Sequence, residues 1–148
     1  MSDVKNWIAQ GDRLFEARRF QEADRRYADV LRVDGDNVQA LLQRARLALL
    51  ENRLGDARAH LRRLLGRDPA HLQALQGLAV VEQRAGDPQA AAACYEAIAR
   101  LRPEDWGAAY NLAAIEQALG RDASAELNLR RTLALNPSCA PAYNNLGN

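Results

Sequence analysis

Residues 38–71 read VQALLQRARLALLENRLGDARAHLRRLLGRDPAH, with apolar residues at helical spacing on both sides of a break near NRLGD. One helix before the break and one after it is the reading this spacing requires. The same stretch recurs along the chain. Gly35, Pro69, Pro103 and Pro137 each close a turn, every one 34 residues after the last. Stepping by the same interval links Ala23, Ala57, Ala91 and Ala125, then Tyr27, Leu61, Tyr95 and Leu129, then Gly11, Ala45, Ala79, Ala113 and Gly147. The repeats are therefore 4–37, 38–71, 72–105 and 106–139, with 140–148 opening a fifth.

Each repeat is expected to be two antiparallel helices. Small residues fall at slots eight and twenty, where the two helices must approach closely. Slot fifteen, just past the first helix, is Asn52, Gly86 or Gly120, residues that tolerate the left-handed conformation of a helix C-terminus. In the third repeat Asp87 is placed to cap the second helix and Pro88 to open it. The first repeat departs, with Arg18 at slot fifteen and Gly35 in place of the closing proline.

Composition narrows the function classes. A chain of 148 residues, 48% hydrophobic and 26% charged, is expected to fold as one domain with an ordinary core. Twenty bases against nineteen acids give no global attraction to nucleic acid or to an anionic membrane. No secretory signal and no run of 18 apolar residues is present, so the expected compartment is the cytoplasm. Arginine supplies every base but Lys5, and with abundant Ala and Leu this suggests a GC-rich bacterial coding sequence.

The pattern Trp7, Gly11, Ala23, Tyr27 in the first repeat and Leu78, Ala79, Ala91, Tyr95, Pro103 in the third resembles the tetratricopeptide repeat. The resemblance covers residues 4–148 and implies an all-α, right-handed α-solenoid of nine helices, four hairpins and a stub. It is highly specific for fold and poorly specific for function, because such repeats serve chaperone adaptors, secretion machines, transferases and regulators alike.

Nothing in the chain argues for catalysis, a metal or a cofactor. His60 and Cys94 share slot twenty-three of successive repeats, but a two-ligand pair falls short of a zinc set. Ser2, Ser124 and Ser138 have no histidine placed to activate them, and no phosphate-binding glycine motif occurs. The second repeat alone is basic, with seven bases to three acids. Arg58, Arg62, Arg63 and Arg67 lie on its second helix and read as a solvated face.

The resemblance further implies that first helices line a concave groove, with slots two, five, six, nine, twelve and thirteen facing it. The expected peptide-binding residues there are Gln39, Leu42, Gln43 and Arg46, then Gln73, Gln76, Val80 and Gln83, then Tyr110, Asn111 and Gln117, and finally Asn144 and Asn145. Amides both donate and accept, so they can pair with a peptide backbone whatever its side chains. The carboxylate clamp of chaperone-tail adaptors is absent, because its positions hold Ile8, Asp12, Gln43, Gln73 and Gly77. An asparagine ladder like that of O-linked N-acetylglucosamine transferase arrays is matched at Asn111 and Asn145 but not at Ala9, Gln43 or Gly77.

The tail PAYNNLGN, residues 141–148, begins a repeat whose second helix is missing. The expectation is a piece of a longer protein, with the stub covering only part of Leu129, Leu133 and Leu135 and the end from about Leu127 to Leu146 left to associate with a second copy. Two functions follow. One is a non-catalytic scaffold for a protein or peptide partner. The other is the targeting module of a larger enzyme, such as a glycosyltransferase.

Overall fold

The computed structural model describes residues 2–147, and among them the chain forms nine helices and no strand. They are α1 (Ser2–Glu16), α2 (Phe20–Val33), α3 (Val38–Leu50), α4 (Leu54–Arg67), α5 (Leu72–Arg84), α6 (Pro88–Leu101), α7 (Trp106–Ala118), α8 (Asp122–Leu135) and α9 (Ala140–Gly147). Each repeat holds one pair, and α9 opens the fifth.

The connections explain why the period is so strict. Within a repeat the link is three residues long, at 17–19, 51–53, 85–87 and 119–121. Between repeats it is four, at 34–37, 68–71, 102–105 and 136–139. Every short link turns through a left-handed residue at slot fifteen, with φ of 61° at Arg18, 55° at Asn52, 78° at Gly86 and 76° at Gly120. The next amide then bonds back to the helix it has left, from Arg19 to Leu14, Arg53 to Ala48, Asp87 to Glu82 and Arg121 to Glu116, at 2.8–2.9 Å. This six-to-one bond defines a Schellman terminus. Arg18, which looked like a departure in sequence, adopts the same conformation without glycine's freedom.

Three of the four links between repeats end in a cap. The Asn37 side chain accepts from Ala40 N at 2.9 Å, His71 Nδ1 from Ala74 N at 3.2 Å and Asp105 Oδ1 from Ala108 N at 3.2 Å. All three stand at slot thirty-four. His71 therefore caps α5 as well as closing its loop. Asp87 caps α6 as expected, accepting from Ala90 N at 3.1 Å with Pro88 next. Arg19, Arg53 and Arg121 occupy the equivalent position before α2, α4 and α8 and make no capping bond.

The fold divides into two compact units, Met1–Val81 and Glu82–Asn148. Unit 1 buries two clusters. Ala23, Tyr27 and Val30 of α2 pack with Ala40 and Leu47 of α3. Leu41, Ala45 and Ala48 of α3 join Ala57, Leu61 and Leu64 of α4 and Ala74 and Val81 of α5. Gly11 lets α1 lie against α2, since a Cβ there would stand 2.7 Å from Tyr27 Cε1 and 2.9 Å from its Cζ. In unit 2, Ala113 of α7, Leu129 of α8, Cys139 of the link before α9 and Ala142 of α9 form one cluster, and Ala91, Tyr95 and Ile98 of α6 are also buried. Slots eight and twenty are buried in all four complete repeats, as close helix packing demands.

Candidate functional site

The residues expected to face a groove are all exposed or half-buried. Gln39, Arg46, Gln73, Gln76, Gln83, Asn111, Gln117 and Asn144 are exposed, while Leu42, Gln43, Val80, Tyr110 and Asn145 are half-buried. They alternate along α3, α5, α7 and α9 with the alanines and leucines of the core, because helical spacing puts slots two, five, six and nine on one side.

In unit 1, α1 and α3 meet across Asp12. Its carboxylate accepts from Tyr27 Oη at 2.5 Å, from Gln39 Nε2 at 3.1 Å and from Gln43 Nε2 at 3.2 Å. Gln43 in turn accepts from Arg46 Nη1 at 3.2 Å, and the Arg46 guanidinium lies over the Phe15 ring, 5.8 Å from its centroid. Burial, and after it the Asp12 carboxylate, hold the Tyr27 phenol well above its ordinary value, so Tyr27 remains a donor. Two of the predicted amides are thus engaged within the protein. Asp12 joins them across 27 and 31 residues of sequence, a relation that no local motif encodes.

Between α3 and α5 the same face opens into a pocket of about 260 Å³ lined by Leu42, Ala45, Arg46, Leu49, Leu61, Gln73, Gln76 and Gly77. Gly77 makes the space. Slot six carries Ala9, Gln43 and Asn111 in the other complete repeats. Here the Leu61 methyls approach so closely that a Cβ on Gly77 would lie 3.3 Å from both. Leu61 and Ala45 are buried and form the floor, with Gln73 and Gln76 exposed at the rim.

In unit 2, Gln117 of α7 and Asn145 of α9 line one depression of about 310 Å³ with Asp122, Glu126, Leu129 and Leu146. Gln83 accepts from Tyr95 Oη at 3.1 Å, and Tyr110 packs on the Ala113 and Leu129 cluster. Asn111 and Asn144 are exposed on the same sides of their helices as the other amides.

The basic second repeat has a structural explanation. Arg44 makes two bonds to the Asp24 carboxylate, at 2.8 and 3.2 Å, and Arg63 and Arg67 reach Asp36 at 3.1 and 3.5 Å. These acids belong to the preceding repeat, so the excess charge is set against acids of a neighbouring repeat. Among the described residues, no group of three or more His, Cys, Asp or Glu side chains is placed to hold a metal ion, and no helix is long and apolar enough to cross a membrane.

Helix pairs of fixed length, crossing at small residues and joined by Schellman turns every 34 residues, define a helical repeat protein. The chain belongs to the tetratricopeptide repeat family, whose profile matches residues 8–71 and 77–138. Its fold is similar to solved structures of MamA. One of these superposes with a TM-score of 0.88 at 23% identity, covering 99% of this chain and 81% of the other. MamA from Desulfovibrio magneticus RS-1 gives 0.86 at 18% identity, with 99% and 83% covered. YrrB, described as a TPR protein with an unusual peptide-binding site, gives 0.85 at 16% identity, with 95% and 73% covered. No curated protein matches the sequence.

Proposed function

We propose that this chain is a non-catalytic scaffold that holds an extended segment of a partner protein against the first-helix faces of its units. One observation carries the reading. Gln73 and Gln76 stand on α5 beside an apolar pocket, both exposed at its rim. Exposed amides next to a pocket floored by leucine and alanine match what an extended peptide offers, a backbone to pair and a side chain to bury. The peptide-binding site ascribed to YrrB, a protein of the same fold, points the same way.

The reading takes the cytoplasm as the compartment and protein as the partner, with neither nucleic acid nor membrane among the ligands, since twenty bases face nineteen acids. A second copy of the chain counts among the partners, because Leu127, Leu135 and Tyr143 are exposed at 69%, 39% and 55%. The test is a peptide array probed with the wild-type chain and with the triple variant Gln73→Ala, Gln76→Ala, Asn111→Ala. The variant should lose captured peptides while its melting stays close to wild type. Equal capture by both would remove the first-helix face as the site.

A further inference from the structure

The pocket beneath Gly77 carries more information than the amides around it, because its chemistry is asymmetric. Leu42, Ala45, Leu49 and Leu61 make its walls and floor, and its single charged lining residue is Arg46. No acid lines it. The guanidinium is held by Gln43 Oε1 and by the Phe15 ring, and the residue is exposed. Glycine is disfavoured inside a helix, and here it borders the pocket at a slot where the other complete repeats carry a side chain.

We infer that unit 1 selects a peptide carrying one apolar side chain and, two residues further along, an acidic side chain. The apolar group enters the socket over Leu61 and Gly77, the carboxylate meets Arg46, and Gln73 and Gln76 pair with the intervening backbone. The spacing follows from extended geometry, in which side chains two apart share a face at about 6.6 Å. An internal acidic residue suits the site better than a chain terminus, because the rim amides present carbonyl acceptors as well as donors and so match a backbone that continues. The inference rests on the first-helix face being the binding surface.

A fluorescein-labelled probe with the sequence Gly-Ser-Gly-Leu-Ser-Glu-Gly-Ser-Gly tests it by anisotropy at up to millimolar protein. Replacing the probe's Leu with Ala should weaken binding about tenfold, in line with burial of a leucine side chain. Replacing its Glu with Lys should weaken it by about the same factor. Gly77→Gln installs the residue of the preceding repeat and fills the socket, and in a variant whose circular dichroism matches wild type the Leu-over-Ala preference should vanish. Arg46→Glu, at an exposed position, should reverse the preference from Glu to Lys. No saturable binding of the Leu-Ser-Glu probe, or a Leu preference that survives Gly77→Gln, overturns the inference. If it is overturned while array peptides are still lost in the triple amide variant, the first-helix face stands without this specificity. Capture unchanged in the triple variant removes the face itself.

Discussion

Gly11→Ala sets two well-measured effects against each other, and the structure decides between them. Glycine inside a helix is disfavoured, so the substitution alone should gain about 1 kcal/mol. Against this, the new Cβ would stand 2.7 Å from Tyr27 Cε1 and 2.9 Å from Cζ, closer than any real contact. Tyr27 is fully buried and its hydroxyl is tied to Asp12 at 2.5 Å, so the ring has no free direction in which to move. Overpacking of this sort costs about 1–3 kcal/mol. Displacing the phenol also weakens a hydrogen bond to a carboxylate, which is worth about 1.5–3 kcal/mol when intact. The net expectation is a loss of about 1–3 kcal/mol, or a fall in Tm of roughly 3–10 °C for a chain of this length. Circular dichroism melts at matched concentration are sufficient. Gly77→Ala is the control, because its Cβ would meet only the Leu61 methyls at 3.3 Å and should change Tm little. A Gly11→Ala chain melting at or above wild type would refute the tight crossing of α1 and α2.

The remaining expectations concern single residues. Arg18 holds φ of 61° without being glycine, so Arg18→Gly should raise stability by about 1 kcal/mol in a urea titration, where the same change at a right-handed site would lower it. Asp105 caps α7 through Ala108 N, and Asp105→Ala should cost about 1 kcal/mol in the same titration. His60 is half-buried on α4, and burial, then the Arg44 guanidinium, lower its pKa from 6.5 against the opposing pull of Asp24 and Asp56. The folded chain therefore binds fewer protons than the unfolded chain just below pH 6.5, and stability should fall as pH drops through that window. His60→Gln should flatten this part of the pH–stability curve, and an unchanged slope would assign the acid sensitivity to other groups.

Much of the fold is legible because the period is written in residues with a steric job. Ala57, Ala91 and Ala125 mark helix crossings, and Gly86 and Gly120 mark left-handed turns, so each can be read alone. Slot thirty-four is harder. Asn37, His71 and Asp105 do the same capping work with three different side chains, and chemical variety conceals a shared geometry. Arg18 is harder still, since its left-handed turn is imposed by the packing of α1 on α2 and not by its own preference. On the first-helix face, the pattern of exposure follows from spacing along single helices. The engagement of Gln39 and Gln43 by Asp12, and of Gln83 by Tyr95, depends on contacts between helices and has no counterpart in local sequence. The same holds for the Gly77 pocket, which exists only because Leu61 of the neighbouring helix lies beneath it.

Side-chain amide resonances of Asn and Gln in a ¹⁵N-labelled chain, followed while a captured peptide is titrated in, test the central claim most directly. Gln73, Gln76, Asn111 and Gln117 on the first helices should shift in a saturable way, while the exposed Gln21 on α2 and Gln89 on α6 stay in place. Shifts confined to Gln21 and Gln89, with the first-helix amides unmoved, would contradict it.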